Sequence, residues 1–242
     1  MSDYLRLDHV RSVLIRLEET IIFSLIERAQ YLVNEVIYEA GRFGETLSRE
    51  SLVGFLLLEC ERSHAKVRRY TSPDEQPFYA ELPPPMLPPL RYSDNPLHPN
   101  TVNVNAELRQ QYEQHIVPFL CTPGDDGQYG SSAVCDVNSL QNLSKRIHYG
   151  KFVAESKYRA KPERFQPLIA AGDEAALHDA ITDGMVEQAV LDRVAHKART
   201  YTRELTDVPG MPTPSPDRIV EVYRRWVVPL NKRVQTAYLL QR

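Results

Sequence analysis

Leu140-Gln-Asn-Leu-Ser-Lys-Arg-Ile-His-Tyr-Gly-Lys-Phe-Val-Ala-Glu-Ser-Lys157 decides how the rest of the chain is read. It contains no proline, and Leu140, Leu143, Ile147 and Val153 fall at helical rather than alternating spacing, which predicts a helix from about Asp136 through Lys157. Arg146, Gly150, Val153 and Lys157 are at i, i+4, i+7 and i+11 and so share one helical face. Two cations therefore bracket a small residue, with backbones about 16 Å apart at ~1.5 Å rise per residue, a span two long side chains can close around a small dianion. Spacing alone favours solvated surface charge, since Lys145, Lys151 and Arg159 are neighbours.

Working outward, the chain reads as helices separated by proline-rich breaks. Asp8 is a candidate N-cap for a helix with the apolar stripe Val10, Leu14, Leu17, Ile21 and Leu25. Ser51 opens a second helix to about Tyr70, and Leu108, Tyr112, Ile116 and Phe119 mark a third. Residues Glu163 to Ala171 and Asp173 to about Glu204 predict further helices. Ser215-Pro216 supplies an N-cap and first-turn proline for a last helix, Asp217 to Leu240, which Pro229 should kink by crowding the carbonyl of Arg225. Nine of the 18 prolines lie between Pro73 and Pro99, which predicts an ordered connector over about 71–105. Further breaks fall at Thr122 to Tyr129, within a loop region of about 122–135, and at Val208 to Pro216. No repeat of 20–50 residues is visible, so the expectation is one all-α domain over 1–242, a multi-helix bundle with a long proline-rich connector.

Composition excludes several functions. The 29 Lys and Arg against 32 Asp and Glu, net −3, give no general field for nucleic acid or an anionic membrane, so any anion must be held by a local cluster. The longest apolar run, Leu52 to Leu58, is far short of the ~20 residues a span needs. Cys60, Cys121 and Cys135 are too irregular for a disulfide framework or zinc site and are expected as buried thiols; the histidines form no metal motif. The N-terminus lacks a secretory pattern, so a cytoplasmic location is expected. Gly124, Gly127 and Gly130 do not make a phosphate loop, because Asp125 and Asp126 would repel the anion. Asp183 with Glu187, and Asn231 with Gln235, share faces at i and i+4, and Arg11 borders the first apolar stripe; each alone also fits a side chain reaching into solvent.

Taken together, Ile21-Ile-Phe-Ser-Leu-Ile-Glu-Arg28, Val67-Arg-Arg-Tyr-Thr-Ser-Pro-Asp-Glu-Gln-Pro-Phe78 and the 140–157 stretch resemble the eukaryotic, fungal-type all-helical chorismate mutases over almost the whole chain. The resemblance implies a homodimer that rearranges chorismate to prephenate in phenylalanine and tyrosine biosynthesis, a pericyclic step needing no cofactor, nucleophile or metal. It matches Arg11 and Arg146 to carboxylate-gripping arginines, Lys157 to a lysine reaching the ether oxygen and a carboxylate, and Glu187 to a glutamate holding the substrate hydroxyl. Asp183 stands in place of an asparagine, Asn231 in place of a threonine, and Gln235 in place of a glutamate that must be protonated to donate to the ether oxygen; Asp183 and Asn231 are matched to substrate binding and Gln235 to catalysis. The resemblance also implies an interface site for tyrosine and tryptophan as effectors, carried over to Arg68, Arg69, Gly130 and Ser131, with Ser215 near a switching loop. Val134, where a threonine hydroxyl is expected, and Gly127 and Gln128, in place of paired asparagines, depart from that pattern. The rival reading is a catalytically silent helical dimer that senses aromatic amino acids or binds a protein; its mark would be a missing cage residue, and each position is filled.

Overall fold

The computed structural model describes residues 5–44, 47, 49–89, 95–206 and 214–242; most of the expected break at Val208 to Pro216 lies outside them. Helices carry the fold, with no strand among the described residues. Helix α1 (Leu7–Arg28) starts one residue before Asp8, so Asp8 sits in the first turn and the extended Arg6 takes the N-cap position without a side-chain cap. Ile21, Ile22, Leu25 and Ile26 on this helix are fully buried. Helix α2 (Leu52–Lys66) is capped as expected, the Ser51 hydroxyl accepting from Gly54 N at 3.0 Å. It stops short of Tyr70 because Arg68 adopts a left-handed backbone (φ 70°), after which Arg69–Thr71 form a 3-10 turn.

The connector that follows is tied down by side chains rather than by a ladder. Glu61 accepts from the amides of Phe78 and Tyr79, and Tyr238 Oη accepts from His98 N at 2.8 Å. Helices α3 (Asn105–Gln111) and α4 (Val117–Leu120) are joined by a π turn at Tyr112–Ile116; α10 (Pro216–Val222) and α11 (Val228–Leu240) are joined by another at Tyr223–Val227. Each π turn ends two residues before a proline, Pro118 or Pro229, and opens with a fully buried tyrosine. Widening the turn moves the carbonyl that the proline ring would strike, so the disturbance expected at Pro229 is absorbed one turn earlier.

The decisive stretch is helical over more than its expected length. α5 (Tyr129–His148) begins seven residues before Asp136 and runs through a helical Tyr149 into α6 (Gly150–Ala160). The loop before it is pinned: Asn34 Nδ2 donates to Asp126 Oδ1 and Asp126 N donates back to Asn34 Oδ1, at 2.9 and 3.0 Å. α7 (Pro162–Ala171) ends at left-handed Gly172. The single helix expected over Asp173 to Glu204 is two, α8 (Glu174–Ile181) and α9 (Gly184–Thr206), separated by the extended Thr182. α5 packs on α1 and α2, α11 on α5, α6 and α8, and α9 on α1 and α10. Cys121 is buried, while Cys60 and Cys135 are half-buried. No helix among the described residues is long and apolar enough to cross a membrane.

Candidate functional site

The site grows from a close approach of α6 to α11. Gly150 touches Asn231 so tightly that a Cβ there would lie 2.8 Å from the Asn231 main-chain oxygen. Asn231 Nδ2 donates to the carbonyls of Arg146 (3.3 Å) and Ile147 (2.9 Å), just before the junction of α5 and α6. Its Oδ1 accepts from Gln235 Nε2 at 2.9 Å, and Gln235 Oε1 faces Lys157 Nζ at 3.3 Å. A primary amide has two hydrogens, so Gln235 keeps one for a ligand beside the lysine.

The break between α8 and α9 completes the surroundings of Lys157. In an unbroken helix the Ile181 carbonyl would accept from Met185 N; here Asp183 Oδ1 takes the amides of Met185 (3.1 Å) and Val186 (3.2 Å) as the cap of α9. Ile181 O is thereby released, and Lys157 Nζ donates to it at 2.6 Å. Burial pushes the Lys157 amine down to about 8, opposed by Asp183 and Glu187 and reinforced by Arg164 and Lys232. Glu187, on the first turn of α9, pairs with Lys232 Nζ at 3.1 Å. The i, i+4 spacing of Asp183 and Glu187 thus reflects a helix cap followed by a first-turn carboxylate.

Arg146 is the most anomalous side chain. It is 5% exposed, carries no ion pair among the described residues, and its Nε and Nη1 have no hydrogen-bond partner. Burial lowers its pKa; Tyr223 and the buried Glu18 pull the other way. Glu18 is already occupied, accepting from Arg193 Nη2 at 2.9 Å and lying 3.8 Å from Lys197 Nζ. Two donors are therefore held in the interior with no acceptor among the described residues. Arg11 stands apart: it is more than half exposed, 3.8 Å from Asp8, on the helical face that carries Glu18 two turns further on. Arg146, Lys157, Gln235, Asn231, Asp183 and Glu187 are thus linked through neighbouring contacts, whereas Arg11, paired with Asp8, is not joined to them among the described residues.

The second group of residues is divided. Arg69 Nη1 donates to Gln141 Oε1 (2.8 Å) and meets His64 Nδ1 (2.9 Å), and with Thr20, Phe23 and Asn138 these residues line a cleft of about 420 Å³ between α1, α2 and α5. Arg68 Nη1 donates to Pro88 O, and its Nε is buried without a partner. Gly130 and Ser131 are exposed in the first turn of α5, so the region about 122–135 is loop only as far as Gln128. Ser215 caps α10, accepting from Asp217 N at 3.3 Å. Sequence reasoning missed Lys232, Glu18, Tyr223 and the Ile181 carbonyl; only a helix break inside 173–204 would have signalled the last.

A sequence model described as Chorismate mutase type II matches residues 128–236. The chorismate mutase of Schizosaccharomyces pombe is 46% identical, the alignment covering 100% of this chain and 98% of that protein. Chorismate mutase 1 of Petunia hybrida, a chloroplastic protein, is also 46% identical, over 98% of this chain and 75% of its own length. Among solved structures, Candida albicans chorismate mutase in complex with L-Trp superimposes with a TM-score of 0.90 at 36% identity, covering 98% of this chain and 92% of that one. AtCM1 with tyrosine bound in its allosteric site gives 0.90 at 46% identity, covering 99% and 97%.

Proposed function

The chain belongs to the chorismate mutase family, an isomerase family whose all-helical fold it shares, and from that premise we propose how its residues rearrange chorismate to prephenate. The reaction is intramolecular: a C–O bond breaks as a C–C bond forms, and negative charge gathers on the ether oxygen. Rate then comes from holding a dicarboxylate in its compact conformer and from donors aimed at that oxygen. Arg146 grips one carboxylate with the donors it keeps unpaired, a forked group suited to the task. Lys157 and the remaining amide hydrogen of Gln235 stabilise the ether oxygen. Glu187 accepts from the ring hydroxyl, Asp183 caps the helix that presents it, and Asn231 fixes Gln235. Arg11 swings in from the margin to cover the second carboxylate.

The observation that carries this reading is the pair of unpartnered, buried Arg146 nitrogens on the helical face that also holds Lys157. The test is loss of chorismate absorbance with wild type, Arg146→Ala and Lys157→Ala, alongside helical circular dichroism. Each variant should keep its helicity and lose ~10²–10³-fold in kcat/KM, the usual effect of removing such a donor. Wild-type activity in either would refute the assignment.

The regulatory reading is supported by the Arg69 cleft and by relatives holding L-Trp or tyrosine, in AtCM1 at an allosteric site. We extend it to tyrosine and tryptophan as candidate effectors here, with weaker binding because Val134 offers no hydroxyl. A homodimer is supported by Phe23 on α1, Phe55 on α2 and Val134 on α5, apolar side chains exposed on helices that pack together.

A further inference from the structure

Lys232 follows Asn231 directly on α11 and therefore points away from the Asn231–Gln235 face. Its Nζ nevertheless closes on the site from the side, 3.1 Å from Glu187 Oε1, with the lysine 17% and the glutamate 31% exposed. Among the described residues the Glu187 carboxylate has no other hydrogen-bond partner. One carboxylate oxygen is held and the other is left to accept. Glu187 lies on the first turn of α9, and this ion pair is the polar contact that orients its carboxylate.

The same ammonium faces Lys157. The charges that act on Lys157 are Asp183 and Glu187 at the start of α9, Arg164 on α7 and Lys232 on α11; α1 and α5, which also pack on α6, add none. Remove Lys232, and two things happen together. A like charge disappears, and Glu187 is released to pair with Lys157, the only other cation of this group that lies in the proposed cage.

We propose that Lys232 is a positioning residue for the rearrangement: it holds Glu187 for the substrate hydroxyl and keeps that carboxylate from neutralising Lys157. This rests on the assignment of Glu187 and Lys157 to the substrate site. Lys232 itself touches no reacting atom, and its effect reaches the chemistry through Glu187.

The experiment compares wild type, Lys232→Met, Lys232→Arg and Glu187→Gln in full steady-state kinetics from about pH 6 to 10, a window bracketing Lys157. Lys232→Met should raise KM about 10-fold, as expected for a charged hydrogen bond lost from a binding group. It should also move the basic limb of kcat/KM to higher pH, because both the lost like charge and the freed carboxylate favour protonated Lys157. Lys232→Arg should restore both. Lys232→Gln, which keeps the stem, reads the same limb if the methionine variant does not fold. A merely structural lysine would leave the limb in place, so an unmoved limb and unchanged KM in Lys232→Met, beside an impaired Glu187→Gln, would overturn the inference alone. Wild-type constants in Glu187→Gln would overturn the site assignment and the inference with it.

Discussion

Gly150→Ala sets two opposing effects against each other, and the structure decides which prevails. Alanine is favoured over glycine in a helix by about 1 kcal/mol, so on propensity the variant should be more stable. The new Cβ, however, would lie 2.8 Å from Asn231 O and 2.9 Å from Asn231 Nδ2. A comfortable C···O contact is about 3.3 Å or more, so a gap of roughly 0.5 Å must open. The obstruction is main chain, which cannot rotate away; α11 has to retreat from α6. Overpacking of this kind costs about 1–3 kcal/mol, leaving a net loss of up to ~2 kcal/mol and a Tm lower by a few degrees, at ~2–4 °C per kcal/mol for a chain of this size. Activity should suffer more than stability. Asn231, Gln235 and Lys232 all ride on α11, whereas Lys157 rides on α6, and Gln235 Oε1 is only 3.3 Å from Lys157 Nζ. Misplacing opposed groups by a fraction of an ångström is expected to lower kcat/KM about 10-fold or more, given that ~1 Å can cost 10²-fold. Differential scanning calorimetry and initial rates on one preparation settle the matter: a raised Tm with wild-type kcat/KM would mean that the α6–α11 contact gives freely and does not hold the site.

Two further outcomes follow from the same contacts. In Gln235→Glu, a carboxylate oxygen replaces the amide nitrogen 2.9 Å from Asn231 Oδ1, an acceptor facing an acceptor unless protonated; kcat/KM between about pH 5 and 8 should therefore recover as pH falls, whereas wild type should hold its activity at neutral pH, and matching profiles would exclude Gln235 as the ether-oxygen donor. Arg28→Met should lower stability in urea by about 3–5 kcal/mol, because it strands buried Asp136, now 2.6 Å from Arg28 Nε, without its counter-charge; a loss below ~1 kcal/mol would show that Tyr38 and Tyr112 suffice to hold the carboxylate.

Much of the fold is legible because helical period and capping chemistry act locally. The stripe from Val10 to Leu25, the Ser51 and Ser215 caps and the connector's prolines each declare themselves within a few residues. What escapes is whatever depends on a distant partner. The start of α5 at Tyr129 relies on Asn34 holding Asp126, 92 residues away. The division at Thr182 has Asp183-Gly184 as its one local signal; it is fixed by Asp183 taking amides that a continuous helix would have used. The site is legible in part for the same reason. The face shared by Arg146 and Lys157 follows from spacing, but their burial, which sets them apart from solvated surface charges, does not. Lys232 was invisible because its neighbour in sequence is Asn231 and its partner in space is Glu187.

Arg28 and Arg146 show how burial turns one residue type to two ends in the same bundle. Both arginines lie in the core, at the ends of helices packed on each other. Arg28 is saturated: Nε donates to Asp136, Nη1 to Leu32 O and Nη2 to Val33 O and Tyr38 Oη. Arg146 keeps Nε and Nη1 unpaired, although an acid, Glu18, is close enough to influence it. Glu18 does not reach across because Arg193 and Lys197 already hold it. Those two cations thus determine that Arg146 stays open, at a penalty of about 1–3 kcal/mol for each unsatisfied buried group. A saturated arginine stabilises the fold and can bind nothing new; an open one weakens it but, in the role proposed for Arg146, meets a carboxylate with donors already desolvated. In a reaction that is accelerated by holding a dianion in one conformer, the second arrangement is the useful one, and the surrounding charges of α1 and α9 are what maintain it.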